Sequence, residues 1–169
     1  MATATRTGKN DLDRDTRDLY GALNDLVRLY QFRDRDTICC HDISVTQCYA
    51  LQSLSRGGAM TLTALANDLM LDKSTASRVI ETLERKGYVR RAVHPEDARA
   101  MSIEMTPKGR GLCHRIEREL LEEERSIISK LDPAVRRAAI GVVRDLAGLA
   151  AARVGRVAAC CCTPEAEAK

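Results

Sequence analysis

Apolar residues recur at helical spacing over most of the chain and switch to strict alternation in one place. From Thr61 to Leu69 the residues Leu62, Leu65, Ala66 and Leu69 share one side, with Thr61 as the cap. Ala64 at the third helical position leaves no capping box there. A second segment repeats Ala76, Val79, Ile80 and Leu83 on one side. Asp72 is placed to accept from the free N–H groups at its start, and Gly87 supplies the left-handed residue past its end. Only Met70 and Leu71 stand between the first helix and Asp72, so the two helices must cross at an angle as a helix-turn-helix. Beyond Gly87 the period changes to two. Tyr88 to Val93 reads as a strand, His94-Pro-Glu-Asp-Ala98 as a turn, and Ala100 to Met105 as a second strand. In that strand Met101, Ile103 and Met105 alternate with Ser102 and Glu104, the mark of a half-buried strand. The pattern predicts a mainly α fold with a small β-wing: a winged helix-turn-helix with N- and C-terminal dimerisation helices.

The flanking helices are where dimerisation is expected. Leu19, Leu23, Leu26 and Tyr30 form a stripe in the first helix. Thr106 caps a long helix with Pro107 at its first position, and Leu112, Ile116, Leu120, Ile127 and Leu131 follow. Asp132-Pro133 starts a last helix whose Val135, Ala139, Val142, Leu146, Leu149 and Ala150 make a small-apolar face. Stripes of this length exceed what one small winged helix can cover, so a second copy of the chain is expected to cover them. The expected organisation is a disordered start over 1–10 and a single domain over 11–159. Within that domain 11–42 and 107–159 are dimerisation helices and 43–106 the winged helix-turn-helix. A cysteine-rich tail occupies 160–169.

Charge matters through its placement. The whole chain carries only +3, too little to argue for nucleic acid. Residues 72–91, however, hold Lys73, Arg78, Arg85, Lys86, Arg90 and Arg91 against Asp72, Glu81 and Glu84, a surplus as large as that of the whole chain. Lys73, Ser74, Thr75, Ser77 and Arg78 crowd the first turns of the second helix, where a recognition helix would meet base edges and phosphates. Arg90 and Arg91 add positive charge on the following strand. With four tyrosines, one phenylalanine and no tryptophan, stacking of single-stranded bases is disfavoured, and a double-stranded reader fits better. No apolar run is long enough to span a bilayer, and the first ten residues lack the apolar core of a signal peptide. A cytoplasmic protein without a membrane partner is expected.

At this point the chain resembles the MarR (multiple antibiotic resistance regulator) family of bacterial transcription regulators. The resemblance runs from about Ile43 to Gly111, and the helix layout fits from Asp11 to about Gly155. It rests on Val45-Thr-Gln47, Leu62-Thr-Ala-Leu-Ala66, Leu71-Asp-Lys-Ser-Thr-Ala-Ser-Arg78, Leu83-Glu-Arg-Lys-Gly87, Pro95-Glu-Asp-Ala-Arg99 and Met105-Thr-Pro-Lys-Gly109. The resemblance implies a homodimer on a pseudo-palindromic duplex operator, with repression as the usual mode. It also implies a wing Asp-x-Arg motif, met by Asp97 and Arg99, in which Arg99 enters the minor groove and Asp97 orients it. Arg90 departs from the family, whose members often carry an acidic residue there, and is expected to add a phosphate contact.

Seven cysteines are present, five of them in two clusters, Cys39-Cys40 and Cys160-Cys161-Cys162. A reducing cytosol makes a disulfide framework improbable. Cys48 and Cys113 read as small buried hydrophobes. The clusters lie in the connection before the second helix and in the tail after the last, where small apolar residues have no evident use. Thiolates select soft ions, and the adjacent spacing is not that of a closed structural zinc site. The expected inducer is therefore a thiophilic metal or metalloid, trivalent arsenic first, held by Cys39, Cys40 and the partner copy's Cys160–Cys162 across the dimer. No permanent cofactor is expected. Oxidants or electrophiles acting on the thiols, or a small aromatic ligand in an apolar pocket, are the alternative inputs.

Enzymatic motifs are missing: there is no HExxH, Walker loop, Rossmann glycine run or nucleophile elbow. His41, His94 and His114 have no acidic partner at a recognisable catalytic spacing. A vicinal-thiol oxidoreductase or a metal carrier would use the cysteines but leaves the winged helix unexplained, so no enzymatic activity is expected.

Overall fold

The structure is a computed structural model that describes the backbone of residues 4–94 and 97–161, and the surroundings of side chains 10–93 and 101–153. In chain order the elements are α1 (Ala4–Cys39), α2 (Val45–Gly57), β1 (Met60–Thr61), α3 (Leu62–Asp68), α4 (Lys73–Arg85), β2 (Val89–His94), β3 (Asp97–Met105), α5 (Pro107–Ile128) and α6 (Pro133–Cys161). Two compact units result, 1–121 and 122–169. The first holds α1 to α4, the sheet and most of α5. The second holds the end of α5 and α6.

Local chemistry sets the boundaries. Ser44 caps α2 by accepting from the Gln47 N–H, and the Gln47 side chain accepts from the Ser44 N–H, a reciprocal box. Thr61 accepts from the Ala64 N–H at 3.2 Å to start α3. The α3–α4 turn closes with Met70 at φ 51° and a Leu71 N–H to Ala66 carbonyl bond of 2.9 Å. Helix α4 begins at Asp72 and stops at Gly87, whose φ of 76° disfavours any residue with a Cβ. Thr106 caps α5, accepting from the Gly109 N–H at 3.1 Å and donating its hydroxyl to the Gly87 carbonyl at 2.7 Å. At Gly109 a Cβ would stand 2.1 Å from the Tyr88 carbonyl oxygen, so α5 can start against the hairpin only with glycine there.

The three strands form an antiparallel sheet in the order β1-β3-β2. Arg90 pairs with Glu104, Arg91 with Ile103 and Ala92 with Ser102, and the register shifts between Val93 and His94. Under the sheet, Ile38, Leu51, Leu65, Ile80, Leu83, Val89, Leu112 and Ile116 are all nearly inaccessible and belong to one core. Helices α1 to α5 and strand β2 each contribute a side chain to this list, β3 adds Ile103 to the same core, and burial of these large side chains is worth about 1.5–3 kcal/mol each.

Four expectations change. Helix α1 begins at Ala4, inside the stretch 1–10 expected to be disordered. Met60 and Thr61 form a strand that the periodicity did not announce, pairing with Ile103 and Ser102. Consequently β3 is central, and Ser102 is fully buried while Met101 stands 53% exposed. Met101 shares the face of Ile103 but lies beyond the reach of the two-residue β1, so the alternation fails at that end. Finally, Cys39 is the last residue of α1 rather than part of the connection, and the backbone of Cys160 and Cys161 belongs to α6 rather than to a tail.

Leu19, Leu23 and Leu26 of α1 remain exposed, as do Leu12, Val27, Leu29 and Phe32 on the same helix. In the second unit Val135, Ile140, Val142, Val143 and Leu149 of α6 are exposed as well. No helix among the described residues is long and apolar enough to cross a membrane.

Candidate nucleic-acid interface

Helix α4 buries Ala76, Ile80 and Leu83, which turns the opposite side to solvent. On that side Ser74, Arg78, Glu81 and Arg85 follow one another at intervals of four, three and four, a single stripe on a helix. Lys73 stands at the rim of its first turn. Lys73, Arg78 and Arg85 are exposed, and their side chains make no hydrogen bond or ion pair among the described residues. Arg85 belongs to the stripe although it was not singled out as a contact residue. Its spacing from Arg78, seven residues or two turns, was the available signal.

The hydroxyls around these cations are engaged. Asp72 accepts from the Ser74 hydroxyl at 2.6 Å, the Thr75 hydroxyl at 2.6 Å and the Thr75 N–H at 2.9 Å. The Ser74 hydroxyl bond, followed by those from Thr75, holds the Asp72 carboxyl well below the usual carboxylate range. The Ser77 hydroxyl donates to Glu81 at 2.9 Å. Ser74, Thr75 and Ser77 therefore offer lone pairs outward, while their protons serve the helix itself. To donate to DNA they would have to exchange partners.

The strand cations are likewise paired. Arg90 places Nε at 3.0 Å and Nη2 at 2.7 Å from Glu104 Oε2, directly across the sheet. Arg91 Nε meets Glu84 Oε2 at 3.2 Å and ties β2 to α4. Arg90, expected to add a phosphate contact, and Arg91 thus each carry a carboxylate partner in the unbound protein. Asp97 and Arg99 lie on the β3 backbone beyond the register shift, and their side chains fall outside the described residues.

At the other end of α4, Lys86 caps the helix and its ammonium donates to the Asp42 carbonyl and, at 3.2 Å, to Asp42 Oδ2. Asp42 closes the α1–α2 turn in the left-handed region, at φ 57°. One residue earlier, His41 Nε2–H donates to Glu119 Oε2 of α5 at 2.8 Å. Cys39 and Cys40 begin this turn and are both exposed, and the Cys40 thiol donates to the Asp36 carbonyl at 3.4 Å. These partners span 44 and 78 residues of sequence and were not foreseen.

Cys48 and Cys113 are buried, as expected. Burial, with smaller contributions from Cys113 and Asp34, pushes the Cys48 thiol up to about 12. Burial raises Cys113 too, ahead of Glu117. Among the described residues no three His, Cys, Asp or Glu side chains are grouped to hold a metal. The side chains of Cys160 and Cys161, and all of Cys162, lie outside the described residues.

A helix-turn-helix whose second helix exposes three cations unpaired among the described residues, followed by a β-hairpin, defines a winged-helix nucleic-acid reader. Residues 43–101 match the MarR family. An uncharacterized HTH-type transcriptional regulator of Mycobacterium bovis is 32% identical over 141 residues, covering 80% of this chain and 96% of that protein. The HTH-type transcriptional regulator PecS of Dickeya dadantii is 28% identical over 127 residues, covering 73% and 76%. Among solved structures, a MarR family protein from Bacillus stearothermophilus superimposes with a TM-score of 0.77 at 20% identity, over 82% of this chain and 97% of that one. The chain belongs to the MarR family of transcriptional regulators.

Proposed function

We propose that the protein is a homodimeric repressor of pseudo-palindromic duplex DNA, without catalytic activity, that leaves its operator when a thiophilic ion binds. The observation that carries the DNA reading is the α4 stripe: Lys73, Arg78 and Arg85 are exposed and unpaired among the described residues, on the helix that a winged helix inserts in the major groove. Arg78 reads a base edge or a phosphate, and Arg99 of the wing enters the adjacent minor groove, oriented by Asp97. The exposed apolar faces of α1 and of α6 support pairing of two chains. Half-sites then lie about 34 Å apart, one turn of the duplex. Sedimentation with footprinting of the region upstream of the gene tests this reading. A stable monomer at micromolar concentration, with no footprint, would overturn it.

The exposed Cys39–Cys40 pair at the end of α1 supports thiol-based input. In this reading Cys39 and Cys40 bind trivalent arsenic, or another soft ion, together with Cys160, Cys161 and Cys162 of the second copy. A release assay with As(III), Sb(III), Cu(I), Zn(II), Hg(II), peroxide and phenolic acids tests it. Release by As(III) at low concentration is expected. Release by peroxide or phenolic acids alone would move the input to thiol oxidation or to an organic ligand. Deleting 160–169 is expected to abolish ion-triggered release and leave operator binding intact. A heterodimer of that deletion with the Cys39→Ser, Cys40→Ser double variant keeps one complete site and should recover part of the response.

A further inference from the structure

The turn that carries the thiol pair is fastened on both sides. His41 holds it to Glu119 of α5 at 2.8 Å, and Asp42 holds it to Lys86, the residue that ends the recognition helix. Lys86 is itself held from behind, since its carbonyl accepts from the Lys108 ammonium at 2.8 Å. Lys108 in turn lies over the Tyr88 ring, 4.8 Å from its centroid. A continuous set of contacts thus runs from Cys40 through His41 and Asp42 to the C-terminal end of α4 and the first residues of the wing.

Adjacent residues on a helix project about 100° apart. Cys39 ends α1 and Cys40 still directs its thiol back at the Asp36 carbonyl, as a helical residue would. To share one ion with Cys39, the Cys40 thiol must leave the Asp36 carbonyl. The segment that links the two thiols to both fastenings is Cys39 to Asp42, whose last residue sits in the left-handed region. Capture of one ion by both sulfurs therefore acts directly on the short turn that the two fastenings hold.

We propose that the Asp42–Lys86 contact is the coupling element that reports occupancy of Cys39 and Cys40 to the recognition helix. The proposal rests on the thiol reading above and names how that site would act. With a monosubstituted trivalent arsenical the step is balanced: two S–H bonds lose their protons, two As–S bonds form, and the arsenical oxygen leaves as water. No oxidation state changes. The turn moves, Lys86 loses its two acceptors on Asp42, and the end of α4 is freed. Lys86 is here a positioning residue and Asp42 its anchor.

Hydrogen exchange on the full-length protein without DNA tests the coupling separately from operator release. The probe is phenylarsine oxide, with mass spectrometry to show that Cys39 and Cys40 are both bound. In the wild type, peptides covering 83–90 should exchange at least about threefold faster when the probe is bound. In Lys86→Met, and in Asp42→Asn, which tolerates the left-handed backbone and keeps the carbonyl, the probe-induced change should be lost and reduced, respectively. The Cys39→Ser, Cys40→Ser protein should show no change. Thermal melts identify any variant that is not folded, and either of the two clamp variants suffices. Unchanged exchange over 83–90 in the arsenical-bound wild type overturns the proposal, as does an equal response in Lys86→Met. A protein that shows this coupling but is not released from DNA by As(III) would instead refute the arsenic reading and leave the coupling standing.

Discussion

Arg90 and Glu104 occupy the same rung of the wing, and both the Nε and Nη2 of the arginine point at one oxygen of the glutamate, Oε2. The pair is substantially open to water on the arginine side, so its own contribution to stability is small, about 0–1 kcal/mol. Its larger effect is on the charge that the wing presents. Glu104→Gln should therefore leave the melting temperature nearly unchanged while tightening duplex binding. If the freed Arg90 reaches a phosphate, the slope of log affinity against log salt steepens by about one. Binding measured at several salt concentrations checks this. Arg90→Ala in the wild-type background should change the slope much less.

Arg78 and Arg85 share the α4 stripe but stand two turns apart. Replacing Arg85 by Ala should weaken binding to all duplexes alike and flatten the salt slope by about one, as loss of one phosphate contact does. Arg78→Ala should cost about 1–3 kcal/mol at one base pair if it reads a base, and behave like Arg85→Ala if it does not. Competition among single-substituted operators separates the two outcomes.

Asp72 ties its carboxylate to two hydroxyls and an amide, and its carboxyl is held below the usual range. A depressed folded value means stability that is present above the unfolded value, about pH 3.9, and is lost as pH falls through the folded one. Asparagine also caps helices well, so Asp72→Asn removes the charge and keeps the cap. The variant should melt a few degrees below the wild type at pH 7, and the difference should narrow on acidification below about pH 4. Melting curves from pH 7 to pH 2.5 follow it. A constant offset across that range would contradict the assignment.

The four described cysteines should separate cleanly toward alkylating agents. Cys39 and Cys40 are exposed, whereas Cys48 is buried with its thiol pushed up to about 12. Since the thiolate is the nucleophile, iodoacetamide at pH 8 should modify the first pair on the order of 100-fold faster than Cys48 or Cys113. Peptide mass spectrometry over time gives the rates. Denaturant should abolish the difference.

What the sequence discloses is mostly what neighbours within one helical turn decide. Thr61, Asp72, Gly87 and the Thr106-Pro107 start all perform as read, because caps and left-handed stops depend on groups three or four residues away. The recognition helix and its buried side were legible for the same reason. Met101 was misread because its exposure depends on where a two-residue strand from elsewhere ends. Arg90 and Arg91 could be seen as cations, but their partners Glu104 and Glu84 become visible only when the hairpin is folded. The Lys86–Asp42 contact joins residues 44 apart, beyond any periodicity argument.

The close approach of Gly109 to Tyr88, together with the double grip of Thr106 on Gly87 and Tyr88, seals the wing at its base. The hairpin is a loop whose two ends are pinned to each other. Length is therefore free to vary in one direction only. Residues added away from the base extend the wing and leave the core register of α4 and α5 intact, whereas one residue added between Gly87 and Val89, or between Met105 and Gly109, displaces the glycine from the only backbone path that admits it. Related chains can thus differ in wing reach, and in the span of DNA they cover, without rebuilding the helices that hold the wing.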